Sequence, residues 1–187
     1  MLRKQASTED GAMKACMALL AIAAAGAISG VLGAVADPLD ALPKTVVDDV
    51  KWLEQRCRDV GGRPEWNADD LIKQIDLTPD GVPDYLIETG SMDCEGGRTG
   101  RAPWTSSGGA QVIVWISVGR NKWAKVFEAD AFAWSVSKRQ SQPVFHVLQD
   151  IGFCGKRISR TDYRRCAHEY VVLNGRLRQI SEAGWTE

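Results

Sequence analysis

Three aspartates at every fourth position form the densest chemical feature of the chain. In "QIDLTPDGVPDYLIET" (residues 74–89), Asp76, Asp80 and Asp84 surround Gly81. Oxygen ligands at alternate positions, with a glycine that permits a sharp bend, are what a calcium loop needs. Asp76, Thr78 and Asp80 can each offer a side-chain oxygen, Val82 its carbonyl, and Asp84 a fifth ligand. The same stretch also reads as a tight turn. Pro79 presets its backbone angle and Gly81 takes the left-handed position. Asp76 and Asp84 then accept backbone hydrogen bonds at the ends of a hairpin. Both readings need the same hairpin, and the residues alone leave them open. An EF-hand is excluded, because its closing glutamate would fall where the chain has Ile87.

The segment resembles the D-x-[DN]-x-D-G-x-x-D loops of integrin-type FG-GAP repeats, in which a strand follows directly, as "YLIE" does here. The resemblance covers Asp76 to Glu88 in a single copy, and Thr78 departs from the usual Asp or Asn. It implies calcium as a cofactor. The chain is more loosely similar to uncharacterised exported bacterial proteins in which such a loop precedes a cysteine-bearing loop and a β-meander. A further cysteine pair before the central strand, frequent in that pattern, is absent from "PWTSSGGA".

A second cluster is cationic. "CGKRISRTDYRRC" brings Lys156, Arg157, Arg160, Arg164 and Arg165 together between Cys154 and Cys166, against one acid, Asp162. Such a patch suits a phosphate, a carboxylate-rich polymer or an acidic protein face; its plain alternative is a solvated loop. Nucleophilic chemistry has weaker support. There is no G-x-S-x-G, and Ser106 and Ser107 in "TSSGG" have no histidine linked to them in sequence. His146, alternating with apolar neighbours in "VFHVL", reads as a sheet-face or core residue. Glu128 and Asp130 are a possible carboxylate pair near a strand end. Trp115, Trp123 and Trp134 fit either a sugar-binding face or the core.

The cysteines and the N-terminus speak to compartment. Residues 15–36, "ACMALLAIAAAGAISGVLGAVA", are uncharged, and Ala34-Val35-Ala36 gives an A-x-A cleavage pattern before Asp37. Residues 1–36 are therefore expected to be a signal peptide. Met13 is the expected start, because Met1 to Ala12 makes a poor n-region. The run is rich in Ala and Gly and weakly hydrophobic for a membrane anchor. Four cysteines follow it: Cys57, Cys94, Cys154 and Cys166. An even count in an exported chain reads as two disulfides with three possible pairings. Cys57–Cys94 and Cys154–Cys166 are favoured, the first closing a longer loop worth roughly 3–4 kcal/mol. With two histidines and no C-x-x-C, a Cys/His zinc site is disfavoured.

The positioning elements follow from periodicity. In "DALPKTVVDDVKWLEQRCRDVGG", Val46, Val50, Leu53, Cys57 and Val60 recur at spacings of three and four, predicting a helix that ends at Gly61-Gly62. Pro43 is placed in its first turn, and Asp48 and Asp49 toward its positive end. Beyond Trp66, short alternating runs predict strands over 71–77, 84–89, 111–118, 123–128, 132–137, 144–149, 168–173 and 176–180. Asn174-Gly175 marks a hairpin. Connections too short for helical crossovers make the sheet mostly antiparallel. Gly90 to Ala110 is expected to be one long loop. The predicted fold is α+β: one N-terminal helix packed on a curved β-meander or partly closed barrel, residues 37–187 forming a single domain.

Without residues 1–36 the chain carries 20 basic and 22 acidic residues. That near-neutral balance argues for neither bulk nucleic-acid binding nor an acidic tail. The expected function is a periplasmic or secreted, non-catalytic binding domain with no membrane span after cleavage. Its expected partner is an anionic envelope component or a protein. The competing expectation is a cell-envelope hydrolase.

Overall fold

The computed structural model describes residues 37–98, 102–155 and 164–185. The expected signal segment, and Lys156, Arg157 and Arg160 of the cationic cluster, lie outside the described residues. Helix α1 spans Lys44–Asp59. Val46, Val50, Leu53 and Cys57 are its fully buried stripe, while Lys44–Asp48 and Glu54–Arg58 pair one turn apart on the wet face. Pro43 is the N-cap rather than a first-turn residue, its carbonyl accepting from the Val46 and Val47 N–H groups. The helix stops where Gly61 turns left-handed at φ 81°. Its first turn holds no acid. Asp48 pairs with Lys44, and Asp49 reaches across to Trp115 Nε1 (2.9 Å) and Lys125 Nζ (3.0 Å). Those two acids therefore serve side-chain partners instead of the helix dipole.

The chain then forms β1 (Arg63–Trp66), the one-turn helix α2 (Ala68–Leu71), β2 (Ile72–Ile75) and β3 (Asp84–Glu88). The expected long loop is partly ordered. It contains β4 (Met92–Glu95), paired antiparallel with β1, and the short β5 (Thr105–Ser106). Two long hairpin strands follow, β6 (Gly109–Gly119) and β7 (Lys122–Ala131). At Phe132 the chain leaves this sheet and builds a second one from β8 (Ala133–Arg139), β9 (Gln142–Asp150), β10 (Arg165–Leu173) and β11 (Arg176–Trp185). The first sheet has the order β2-β3-β6-β5 with β7 also on β6; the second is β11-β10-β9-β8, and all pairings are antiparallel.

No closed barrel forms among the described residues. The meander splits into two sheets because the central strand is apolar on both faces. On β3 and β6, Tyr85, Ile87 and Ile113 pack against α1, whereas Leu86, Val112, Val114 and Ile116 meet Phe145 and Val147 of the second sheet. The alternation in "AQVIVWISV" thus feeds two cores, one on each side of the first sheet. Both expected disulfides are formed, Cys57–Cys94 and Cys154–Cys166. The first ties α1 to the β1–β4 ribbon. No helix among the described residues is long and apolar enough to cross a membrane.

Candidate functional site

The aspartate turn is a lock between β3 and β6. Asp84 is fully buried. Its Oδ2 accepts from the N–H groups of Leu77 (2.8 Å) and Thr78 (2.9 Å), and its Oδ1 from the N–H of Ser117 (2.8 Å). Asp80 accepts from the Val82 N–H (2.9 Å) and from the Ser117 hydroxyl. The Thr78 hydroxyl lies 3.1 Å from both carboxylates. Burial pushes the Asp84 carboxyl above its ordinary range against these donors, while the Ser117 hydroxyl and then the Val82 N–H hold Asp80 below its own. Asp76 stands apart at the surface, 3.9 Å from Lys138 Nζ. The Asp84 oxygens face N–H donors, the Val82 N–H is bonded to Asp80 inside the turn, and Asp76 lies beside Lys138. The hydrogen bonds favour the turn reading.

The lock fixes the wall of a groove. Tyr85 follows Asp84 and Val118 follows Ser117, so the pinned strand ends carry both side chains to one edge. A groove of about 660 Å³ opens there between the start of α1 and the β6–β7 hairpin. Tyr85, Trp123, Thr45 and Asn121 contribute to its lining, and the charged lining residues are Lys44 and Lys122. Trp123 is held in place by its Nε1–H to the Pro83 carbonyl (3.0 Å) and by its tilted packing on Tyr85. Tyr85 is 95% buried, and burial raises its phenol above the ordinary value. Pro43 supplies no side-chain cap to α1. The first-turn N–H groups, the positive end of a four-turn helix, therefore border the same groove.

A second groove, of about 600 Å³, lies on the outer face of the second sheet, with Ala133, Leu148 and Ala167 as its apolar floor beside the half-exposed Trp185. His146 stands at its edge. Its Nε2 is 2.7 Å from Ser137 Oγ and its Nδ1 3.6 Å from Glu169 Oε1, and Arg139 holds Glu169 at 3.0 Å. The sequence leaves His146 as a sheet-face or core residue and gives no sign of Ser137 and Glu169 beside it. The tight β8–β9 turn at 140–141 fixes Ser137 and His146 to the same face, whereas Glu169 comes from a strand beyond the disulfide loop.

Of the cationic cluster, Arg164 is exposed and Arg165 lies over the Phe132 ring, 4.1 Å from its centroid. Neither lines the first groove. Nor do the three tryptophans share a face. Trp115 bonds to Asp49 under α1, Trp123 walls the first groove, and Trp134 borders the second. Among the acids, Glu128 pairs with Lys125 at 2.9 Å, and Asp130 accepts from Ser106 Oγ at 2.5 Å, so the two serve separate contacts.

No protein-family model, curated protein or solved structure matches the chain.

Proposed function

We propose that the protein is an exported, non-catalytic binding domain for an anionic saccharide of the cell envelope, held in the groove beside α1. The observation that carries this reading is the groove's composition. Its charged side chains are both lysines, its wall is aromatic, and Tyr85 lies in its lining beside Asn121. An aromatic ring offers a flat apolar surface to a sugar ring. The lysines and the helix N-terminus favour a carboxylate or phosphate on that sugar. The Tyr85 hydroxyl and the Asn121 amide supply hydrogen bonds to its hydroxyls. Calorimetric titration with a uronic-acid oligosaccharide, and with the same oligosaccharide reduced to its neutral form, tests this. Binding of the acidic form alone, weakened by salt, is expected; equal binding of both, or of neither, contradicts it.

The hydrolase reading has one specific observation in its favour, the Ser137–His146–Glu169 chain. In that chemistry His146 takes the Ser137 proton as Oγ attacks an acyl carbon, and Glu169 steadies the ring. A flat sheet face, however, brings its backbone N–H groups into the ladder and not to the reacting oxygen. Covalent labelling of Ser137 by a fluorophosphonate, abolished in Ser137→Ala, would favour the hydrolase over the binding domain.

A further inference from the structure

The two disulfides have different surroundings. Cys57 is fully buried in the α1 core, and a Cβ added at Gly62 would meet both sulfurs of its bridge. The other bridge has a histidine against it. Cys166 is also fully buried, and its Sγ lies 3.0 Å from His168 Nε2. His168 is itself only 3% exposed. Its Nδ1 lies 3.1 Å from Gln179 Nε2 and 3.6 Å from Glu182 Oε1, and the Gly155 N–H donates to that same oxygen at 2.6 Å. Tyr170 stacks obliquely beside the imidazole at 6.0 Å.

The orientation of the Gln179 amide sets the ring proton. The Gln179 amide nitrogen can only donate, so Nδ1 accepts and the proton sits on Nε2, directed at Cys166 Sγ. Burial, partly offset by Glu182, holds the ring below its ordinary basicity and so neutral. Cys154 is the partly buried residue of the bridge, whereas Cys166 is fully buried.

We propose that Cys154–Cys166 is an exchange-active disulfide in which an incoming thiolate attacks Cys154 and His168 receives Cys166 as the leaving group. The co-reactant is a dithiol. Its thiolate forms a new S–S bond to Cys154 as the Cys154–Cys166 bond breaks. The bonding pair leaves with Cys166 Sγ, which becomes a thiolate facing the Nε2–H. The second thiol of the co-reactant, as thiolate, then displaces Cys154 and closes the reductant's own disulfide. The protein gains two electrons, and two protons end on its thiols. A thiol leaves faster the better its thiolate is stabilised, and a buried thiolate without a donor would be costly. Nothing comparable serves the Cys57–Cys94 bridge among the hydrogen bonds of the described residues.

The test is timed reduction of the native full chain with dithiothreitol, quenched by alkylation and read by peptide mass mapping. Cys154 and Cys166 are expected to label at least tenfold faster than Cys57 and Cys94. His168→Gln is expected to slow the first pair about tenfold and leave the second unchanged, so the slow bridge reports on folding within the same sample. If His168→Gln does not fold, Gln179→Leu, which removes the donor to Nδ1, serves instead, with a slowing of severalfold expected. Equal rates for the two bridges, or rates at Cys154–Cys166 that ignore both substitutions, would overturn the proposal.

Discussion

Asp84 shows how one side chain can hold two strands and a groove in place. Three backbone N–H groups end on its carboxylate in a site closed to water. Asp84→Ala would leave those donors unpaired, each at a cost of about 1–3 kcal/mol. We expect a loss of about 3 kcal/mol or more by urea denaturation, and weaker ligand binding because Tyr85 and Val118 lose their anchor. Because the donors already occupy these oxygens, millimolar calcium should leave the melting temperature of the native chain unchanged; a rise would show that the turn opens to take the ion. His168 gives a pH prediction. Burial depresses it below its ordinary value of 6.5. The unfolded chain therefore takes up a proton at a higher pH than the folded one does. The stability this site contributes is full above about 6.5 and is lost as pH falls through the depressed folded value. Denaturation followed from pH 7.5 to 5 should show that slope, and His168→Gln should flatten it. The acidic turn was legible from Pro79, Gly81 and the aspartate spacing, because turns are local. Ser117 was not, because a partner 33 residues from Asp84 is fixed only once β3 lies on β6.

At the scale of elements, local signals were read well and weak ones lost. The helix was legible from its buried stripe, and the β10–β11 hairpin from Asn174-Gly175, whose φ values are 53° and 70°. The strands β4 and β5 were missed. They are short, sit among glycines and serines, and depend on β1 and β6 as partners, so no periodicity announces them. The β8–β9 turn has the conformation of a tight hairpin without its preferred residues. Gln140 and Ser141 hold φ values of 48° and 69°, a left-handed region that costs an L-residue about 1–2 kcal/mol. Replacing the pair by Asn-Gly should raise stability by about 1 kcal/mol, since this pair favours that turn. Thermal unfolding measures it. The same change should leave binding beside α1 untouched, because the hairpin belongs to the other sheet.

The described residues place helix α1 on one side of the first sheet and the second sheet on the other, with the small β1–β4 ribbon tied to α1, and the arrangement explains where a ligand can enter. A curved meander or partly closed barrel was expected, but the two-faced apolar pattern of β6 demands cover on both sides, and the chain meets that demand by switching sheets at Phe132. How far the strands would fold over one another depends on packing between distant segments, which periodicity does not encode. The layering leaves the α1 N-terminus beside the β6–β7 hairpin, and it is there that Lys44, Tyr85 and the neighbours Lys122 and Trp123 converge from three separate stretches of sequence. Conversely, the cationic run that was conspicuous in sequence has its described members, Arg164 and Arg165, outside this groove. The most direct test compares the native chain with a Lys44→Gln/Lys122→Gln variant in titrations against a uronic-acid oligosaccharide at low salt. Neither lysine has a buried partner, so the variant should fold as the native chain does. The account predicts that the native chain binds and that the variant loses at least tenfold in affinity. Unchanged affinity in the variant, or native binding that persists unaltered in high salt, would contradict it.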